Sequence, residues 1–170
     1  MKKLLLMLVF AGFVSACGAD YLRKESYPEV DGFDIDQEAQ IEDSAEHREV
    51  VAVLIEYRGA LVNKDIGRLK RLIADDYYSN AGTTNTTSDD YGAGELPEVF
   101  ELLSQHADEV KYDVVLKAVS VDGKKASVDY EYKYAYQYDV DGQPSWDAGV
   151  DLNRLEMEQR EGDWKIVSGL

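Results

Sequence analysis

Residues 127–138 read SVDYEYKYAYQY, with tyrosine at positions 130, 132, 134, 136 and 138. Strict alternation of this kind is a strand signal, because successive side chains of an extended chain point to opposite faces. Asp129, Glu131, Lys133, Ala135 and Gln137 fall on the other face, so the tyrosine face is the one expected to turn inward. The strand runs from about Lys125 to Asp139, between turn signals at Asp122-Gly123 and Asp141-Gly142. Before it, Val110, Tyr112, Val114, Leu116 and Ala118 alternate; after it, Ala148, Val150 and Leu152 alternate in one phase and Leu155 and Met157 in the other. That change of phase predicts a β-bulge near Asn153-Arg154. Glu161-Gly162-Asp163 then turns into a last strand, Trp164 to Ser168.

Upstream of residue 108 the period is helical. Val50, Val51, Leu54, Tyr57, Ala60 and Leu61 share one face of a helix over Ala45–Asn63, with Ser44 as its cap. Asp65 caps a short helix whose Ile66, Leu69, Leu72 and Ile73 face inward. Pro97 suits the first turn of a third helix, about Glu95–Ala107, with Leu96, Phe100 and Leu103 buried. Tyr77-Tyr78 enter a short strand, and Asn80 to Gly94 form a polar loop. Helices first and an antiparallel meander afterwards give an α+β domain with helices on one sheet face. A strand of about 15 residues would run ~50 Å if straight. A domain of about 125 residues is only ~36 Å across, taking its radius of gyration as ~14 Å. The expected sheet is therefore cone-shaped and strongly curved, wrapped over about three N-terminal helices.

The chain begins MKKLLLMLVFAGFVSAC: two lysines, an apolar run too short to span a bilayer comfortably, then Val14-Ser15-Ala16-Cys17. This resembles a bacterial lipoprotein signal, an aliphatic residue and two small ones before cysteine. The resemblance implies cleavage after residue 16, lipid on Cys17, and attachment to the cell envelope. Gly18 at the following position implies the outer membrane, facing the periplasm. Residues 17–43 are acidic and lack a sustained period, so they are expected to act as a flexible tether that cannot bury enough apolar surface to order itself. Packing of Tyr21, Tyr27 or Phe33 onto the domain is the alternative. The folded unit is expected over residues 44–170.

Cys17 is the sole cysteine, which leaves no internal disulfide and no zinc cluster. With 18 basic and 34 acidic residues the chain carries −16, and loss of Lys2 and Lys3 with the signal takes it to −18. No clustered basic patch is present to meet nucleic-acid phosphates, and the acidity repels anionic lipid, so membrane attachment falls to the lipid on Cys17.

Tyr57-Arg58-Gly59-Ala60-Leu61-Val62-Asn63-Lys64-Asp65, then Leu69, Leu72, Ala74-Asp75-Asp76, and the closing Gly162-Asp163-Trp164-Lys165-Ile166-Val167-Ser168 resemble the nuclear-transport-factor-2-like superfamily. That superfamily includes ketosteroid isomerase and the SnoaL-like proteins. The resemblance spans roughly residues 46–170 and implies the curved cone, a fold that hosts enzymes and non-enzymes alike. Isomerase chemistry needs a carboxylate base and an oxyanion hole of tyrosine and protonated acid. Tyr57 matches the hydrogen-bonding tyrosine. The base position falls on Ala81, which takes no proton, and Asp151 or Glu156 could supply the acid. His47 and His106 read as surface histidines at helix ends. Asp147 and Asp151 lie near Arg154, either as a structural ion pair or as an acid–base cluster. Asp89-Asp90, and the acids at Asp31, Asp34, Asp36 and Glu38, read as solvated charge rather than metal ligands.

Five hydroxyls in one row are hard to satisfy in a dry core. The stripe is therefore expected to wall a partly wet cavity, formed by Tyr57, Tyr130, Tyr132, Tyr134, Tyr136, Asp151 and Arg154, with Tyr138 near the rim. Amphipathic sheet packing is the plainer use of such a stripe, and a sheet-mediated homodimer is a third. The expected protein is a lipid-anchored envelope component that binds a small molecule or an envelope protein, with no catalytic residue, no cofactor and no metal. Its alternatives are a SnoaL-like enzyme acting on a small hydrophobic carbonyl compound, and a docking subunit of an envelope assembly.

Overall fold

A computed structural model describes residues 20–80, 86–88 and 90–170. Cys17, Ala81 and Asp89 lie outside the described residues. Along the chain come β1 (Phe33–Ile35), α1 (Ala45–Val62), α2 (Ile66–Leu72), β2 (Tyr78–Ser79), β3 (Tyr91–Gly92), α3 (Leu96–His106), β4 (Glu109–Asp122), β5 (Lys125–Val140), β6 (Gln143–Arg160) and β7 (Asp163–Ser168). β4 to β7 form an antiparallel meander, β1 joins its β4 edge in parallel, and β2 pairs with β3 as a separate ribbon. Among the described residues the result is an α+β fold with three α-helices and a curved sheet, as the periodicity implies.

The helix caps act as the sequence predicts. Ser44 Oγ accepts from the His47 amide at 3.3 Å, and Asp65 Oδ1 accepts from the Arg68 amide at 2.9 Å, satisfying amides that would otherwise lack an intrahelical partner. Val50, Val51, Leu54, Tyr57 and Leu61 of α1 pack onto Val114, Leu116, Val128, Leu155 and Ile166 of the sheet. The hairpin tips take positive φ at Asp141 and Gly142 and at Glu161 and Gly162, the two-residue primed turn that matches strand twist.

Two expectations need correction. The first is the flexible tether: from Asp20 to Asp43 the chain is docked on the domain. Leu22, Phe33, Ile35, Ala39 and Ile41 are buried. The Leu22 amide donates to the Ile41 carbonyl at 2.9 Å and the Asp43 amide to the Asp20 carbonyl at 2.8 Å. The Val114 amide donates to the Gly32 carbonyl at 2.8 Å. Gly32 sits at φ +62°, where a Cβ would collide with the Arg58 guanidinium and the Asp113 carboxylate. Five apolar side chains spread through an acidic stretch show no local period, yet all five join the common core, with Phe33–Ile35 paired to the open sheet edge. Docking also covers the outer edge of β4, which would otherwise expose a row of unpaired backbone groups. Lys117 pairs with Asp36 at 2.9 Å across the same junction.

The second concerns the bulge. Pairing of β5 with β6 is continuous from Lys125–Glu158 to Val140–Gln143, and the register shifts instead between Leu116 and Ala118 and between Glu156 and Met157. The change of apolar phase in β6 is a change of face. Leu155 and Met157 are buried beneath the helices, whereas Val150 and Leu152 are 61% and 70% exposed on the opposite side. Beyond the part of the sheet that α1 covers, the inward positions of β6 are Asn153, Asp151, Gly149 and Asp147.

Candidate ligand-binding site

The tyrosine stripe faces α1, as its alternation predicts, but it divides into a dry end and an open end. Tyr130 is 1% exposed, and its ring belongs to the core. Its hydroxyl accepts from Asn153 Nδ2 at 3.0 Å and lies 3.5 Å from the hydroxyl of buried Tyr112. The same Asn153 amide donates to the Gly169 carbonyl at 2.8 Å. Tyr77 donates to the Leu170 carbonyl at 3.0 Å, and Tyr91 donates to it as well. At this end every phenol named has a protein partner, the condition for burying it without loss.

Tyr132, Tyr134 and Tyr136 are half-buried. Their rings continue the stack: Tyr112 to Tyr132 at 5.1 Å between centroids, Tyr132 to Tyr134 at 6.1 Å, and Tyr134 to Tyr136 at 5.2 Å. From the helix side Tyr57 meets Tyr112 edge-on at 6.3 Å. Tyr57 is 7% exposed, yet among the described residues no hydrogen-bond partner reaches its hydroxyl. The same holds for the hydroxyls of Tyr132, Tyr134 and Tyr136. Burial, reinforced by the neighbouring phenols of Tyr130 and Tyr136, holds the Tyr57 pKa far above the usual tyrosine range. Burial, Tyr132 and other neighbours push Tyr136 up to about 12. The phenols of Tyr57 and Tyr136 are thus neutral donors near neutral pH.

Across the strand pair, Tyr132 faces Asp151, Tyr134 faces Gly149 and Tyr136 faces Asp147. A Cβ on Gly149 would come within 2.8 Å of the Tyr134 ring. The missing side chain therefore lets that ring lie across β6, between the two carboxylates. Burial, then the charge on Asp151, raises the Tyr132 pKa; the register puts that carboxylate directly across from the ring. Asp147 was noted in sequence only as a partner for Arg154; its place opposite Tyr136 needed the register.

Arg154 is not part of this face. It points to the other side of the sheet, where its guanidinium grips Asp129 in a two-armed pair, one arm at 2.7 Å. The two residues stand directly opposite in β5 and β6. Parity explains the error: Arg154 is an odd number of residues from Asp151, so the two cannot share a face without a bulge between them. Glu156 shares the outer parity. His47 is engaged by the Ser44 hydroxyl at 2.8 Å and His106 is exposed at the end of α3, so neither joins the site.

A hollow of about 720 Å³ does lie on the outer face, lined by Lys117, Asp129, Tyr130, Glu131, Leu152, Asn153 and Arg154, so Tyr130 and Arg154 do share a hollow, though not the one on the tyrosine face. Its charged groups already pair with one another or with Asp36, which leaves little to recognise a ligand. The open end of the tyrosine face offers the reverse: aromatic area with carboxylates that have no cationic partner among the described residues, Asp151 Oδ1 accepting only from the Leu152 amide at 2.8 Å.

No protein-family model and no curated protein matches the sequence. Solved structures match the fold. A candidate dehydratase of the nuclear-transport-factor-2-like family from Streptomyces avermitilis superposes with TM-score 0.60 at 14% identity, over 72% of this chain and 92% of that one. A ketosteroid isomerase-like protein from Erwinia carotovora atroseptica gives 0.59 at 18% identity, over 74% and 94%. A candidate scytalone dehydratase from Novosphingobium aromaticivorans gives 0.59 at 13%, over 73% and 80%. The chain is similar to these proteins in fold, the class of cone-shaped α+β domain that nuclear-transport-factor-2-like and SnoaL-like proteins share.

Proposed function

We propose that this protein is a lipid-anchored component of the bacterial envelope whose domain binds a small, partly apolar molecule at the open end of the tyrosine face. The observation that carries the binding reading is the contrast between phenols. Those of Tyr77, Tyr91 and Tyr130 are engaged by protein groups, whereas among the described residues those of Tyr57, Tyr132, Tyr134 and Tyr136 are not. Apolar walls with a few convergent polar groups are what a pocket uses to hold and orient a ligand. Anchoring rests on the lipoprotein-like signal ending at Cys17 and on the outer-membrane reading of Gly18.

The test is ligand retention. Mature protein purified gently from its native envelope and examined by native mass spectrometry should carry a small-molecule adduct. Tyr132→Phe or Tyr134→Phe should weaken that retention by about 0.5–1.5 kcal/mol, one hydrogen bond, with the ring still in place. Unchanged retention in the Tyr132→Phe, Tyr134→Phe double variant would end the reading. For the anchor, Cys17→Ser should abolish incorporation of a fatty-acid label, and equal labelling would refute it.

Two other readings have an observation each. Asp147 and Asp151 beside neutral phenols could serve an enzyme of dehydratase or isomerase type, as the names of the structural neighbours suggest. Turnover of a steroid enone abolished by Tyr57→Phe would establish it. Exposed Val150 and Leu152, with half-exposed Trp146 beneath Lys111 on the same outer face, suit docking of an envelope protein or a second copy of this chain.

A further inference from the structure

The charge of the open end selects the class of ligand. At the inner positions of β4, β5 and β6, from Val110 to Leu116, Ala126 to Tyr138 and Ser145 to Met157, there is no lysine, arginine or histidine. The only formal charges are the carboxylates of Asp147 and Asp151. Among the described residues neither carboxylate has a cationic partner, although Asp129, Asp36, Asp43 and Asp76 each do. Lys64, at the end of α1, has its ammonium bound to the Ala107 carbonyl at 2.9 Å. Elsewhere the protein places its own cations over aromatic rings, Lys24 over Phe33 and Lys111 over Trp146. No such cation lies over a ring of the tyrosine stripe among the described residues. Tyr57 adds an unpartnered hydroxyl on a side chain more than nine-tenths buried.

We propose that this face takes an organic cation, a quaternary or protonated amine carrying an apolar or aromatic portion. The ammonium would sit against the tyrosine rings between Asp147 and Asp151, because π faces and carboxylates both attract positive charge. The apolar portion would lie along Tyr132 and Tyr134, toward Tyr57. An anion is disfavoured at the same place by two uncompensated carboxylates and by the −16 charge of the whole chain. The inference rests on the ligand-binding reading and adds the sign of the ligand to it.

A charge series with a common benzyl group tests it: benzyltrimethylammonium, benzyl alcohol and phenylacetate, each titrated into the mature lipidated protein in maltoside micelles. The readout is the NMR shifts of the Tyr132, Tyr134 and Tyr136 rings. The cation should bind about tenfold or more tightly than the alcohol, and phenylacetate more weakly than either. Its affinity should fall with added salt, since the carboxylates are exposed. Asp147→Asn with Asp151→Asn should remove most of the preference for the cation over the alcohol. Equal binding of cation and alcohol, stronger binding of phenylacetate, or a preference untouched by the double variant would overturn the assignment. Any of these with the ring shifts present would leave the tyrosine face as a binding site. Absence of ring shifts with all three probes would remove both the cation and the site.

Discussion

Leu22→Ala decides whether the acidic segment before α1 is part of the folded unit. Leu22 is 0% exposed and lies where the Asp20–Asp43 segment closes on itself, its amide bound to the Ile41 carbonyl. The substitution removes three carbons. At about 0.8 kcal/mol per buried carbon, the transfer contribution is ~2.4 kcal/mol. A cavity that refills only partly raises this to ~3 kcal/mol, within the ~2–5 kcal/mol range of buried Leu→Ala changes. Undocking of the segment is an escape route that caps the loss, so the same measurement bounds the docking free energy. With a urea slope of ~1–3 kcal/mol per molar, the midpoint should fall by about 1–3 M. Equilibrium unfolding followed by tryptophan fluorescence reports it, because Trp164 is buried in the core. Tyr21→Ala is the control, one residue away but 37% exposed, and should cost less than ~1 kcal/mol. A Leu22→Ala midpoint within ~0.3 M of wild type, with an unchanged slope, would show that the segment contributes nothing and restore the tether.

Asn153→Ala should destabilise by ~1–3 kcal/mol, because it removes the donor to the Tyr130 hydroxyl and to the Gly169 carbonyl from a largely buried position; denaturant titration checks it, and a loss below ~0.5 kcal/mol would mean water replaces the amide. Raising the pH should unfold the protein before its inner tyrosines ionise. Burial raises the pKa values of Tyr57, Tyr112 and Tyr130 in the folded state. A group raised on folding contributes stability in full below its unfolded value of ~10 and loses it as pH climbs through the folded value. Exposed tyrosines ionise with the fold intact, so the last part of the phenolate absorbance and the far-ultraviolet circular dichroism should change together above about pH 10, and complete phenolate formation with the fold intact would contradict the burial.

The sequence by itself determined the elements, their order and the inward turn of the tyrosines. Those features follow from covalent geometry: a period of 3.6 puts Val50, Leu54, Tyr57 and Leu61 on one stripe, and a period of two puts Tyr130 to Tyr138 on one face. Positive φ at Gly142 and Gly162 and the capping oxygens of Ser44 and Asp65 are equally local. Tertiary structure alone decided what each face meets. Leu22, Ile35 and Ile41 are buried because an open sheet edge and the first helix lie beside them, and no local period announces that. Val150 and Leu152 are exposed although they alternate like core residues, since they lie on the face of β6 turned away from the helices. Arg154 and Asp151, close in sequence and of opposite charge, are held on opposite sides of the sheet by an uninterrupted register. Burial and pairing belong to whatever lies across a contact, often a hundred residues away, and a periodic pattern records only which side chains point the same way.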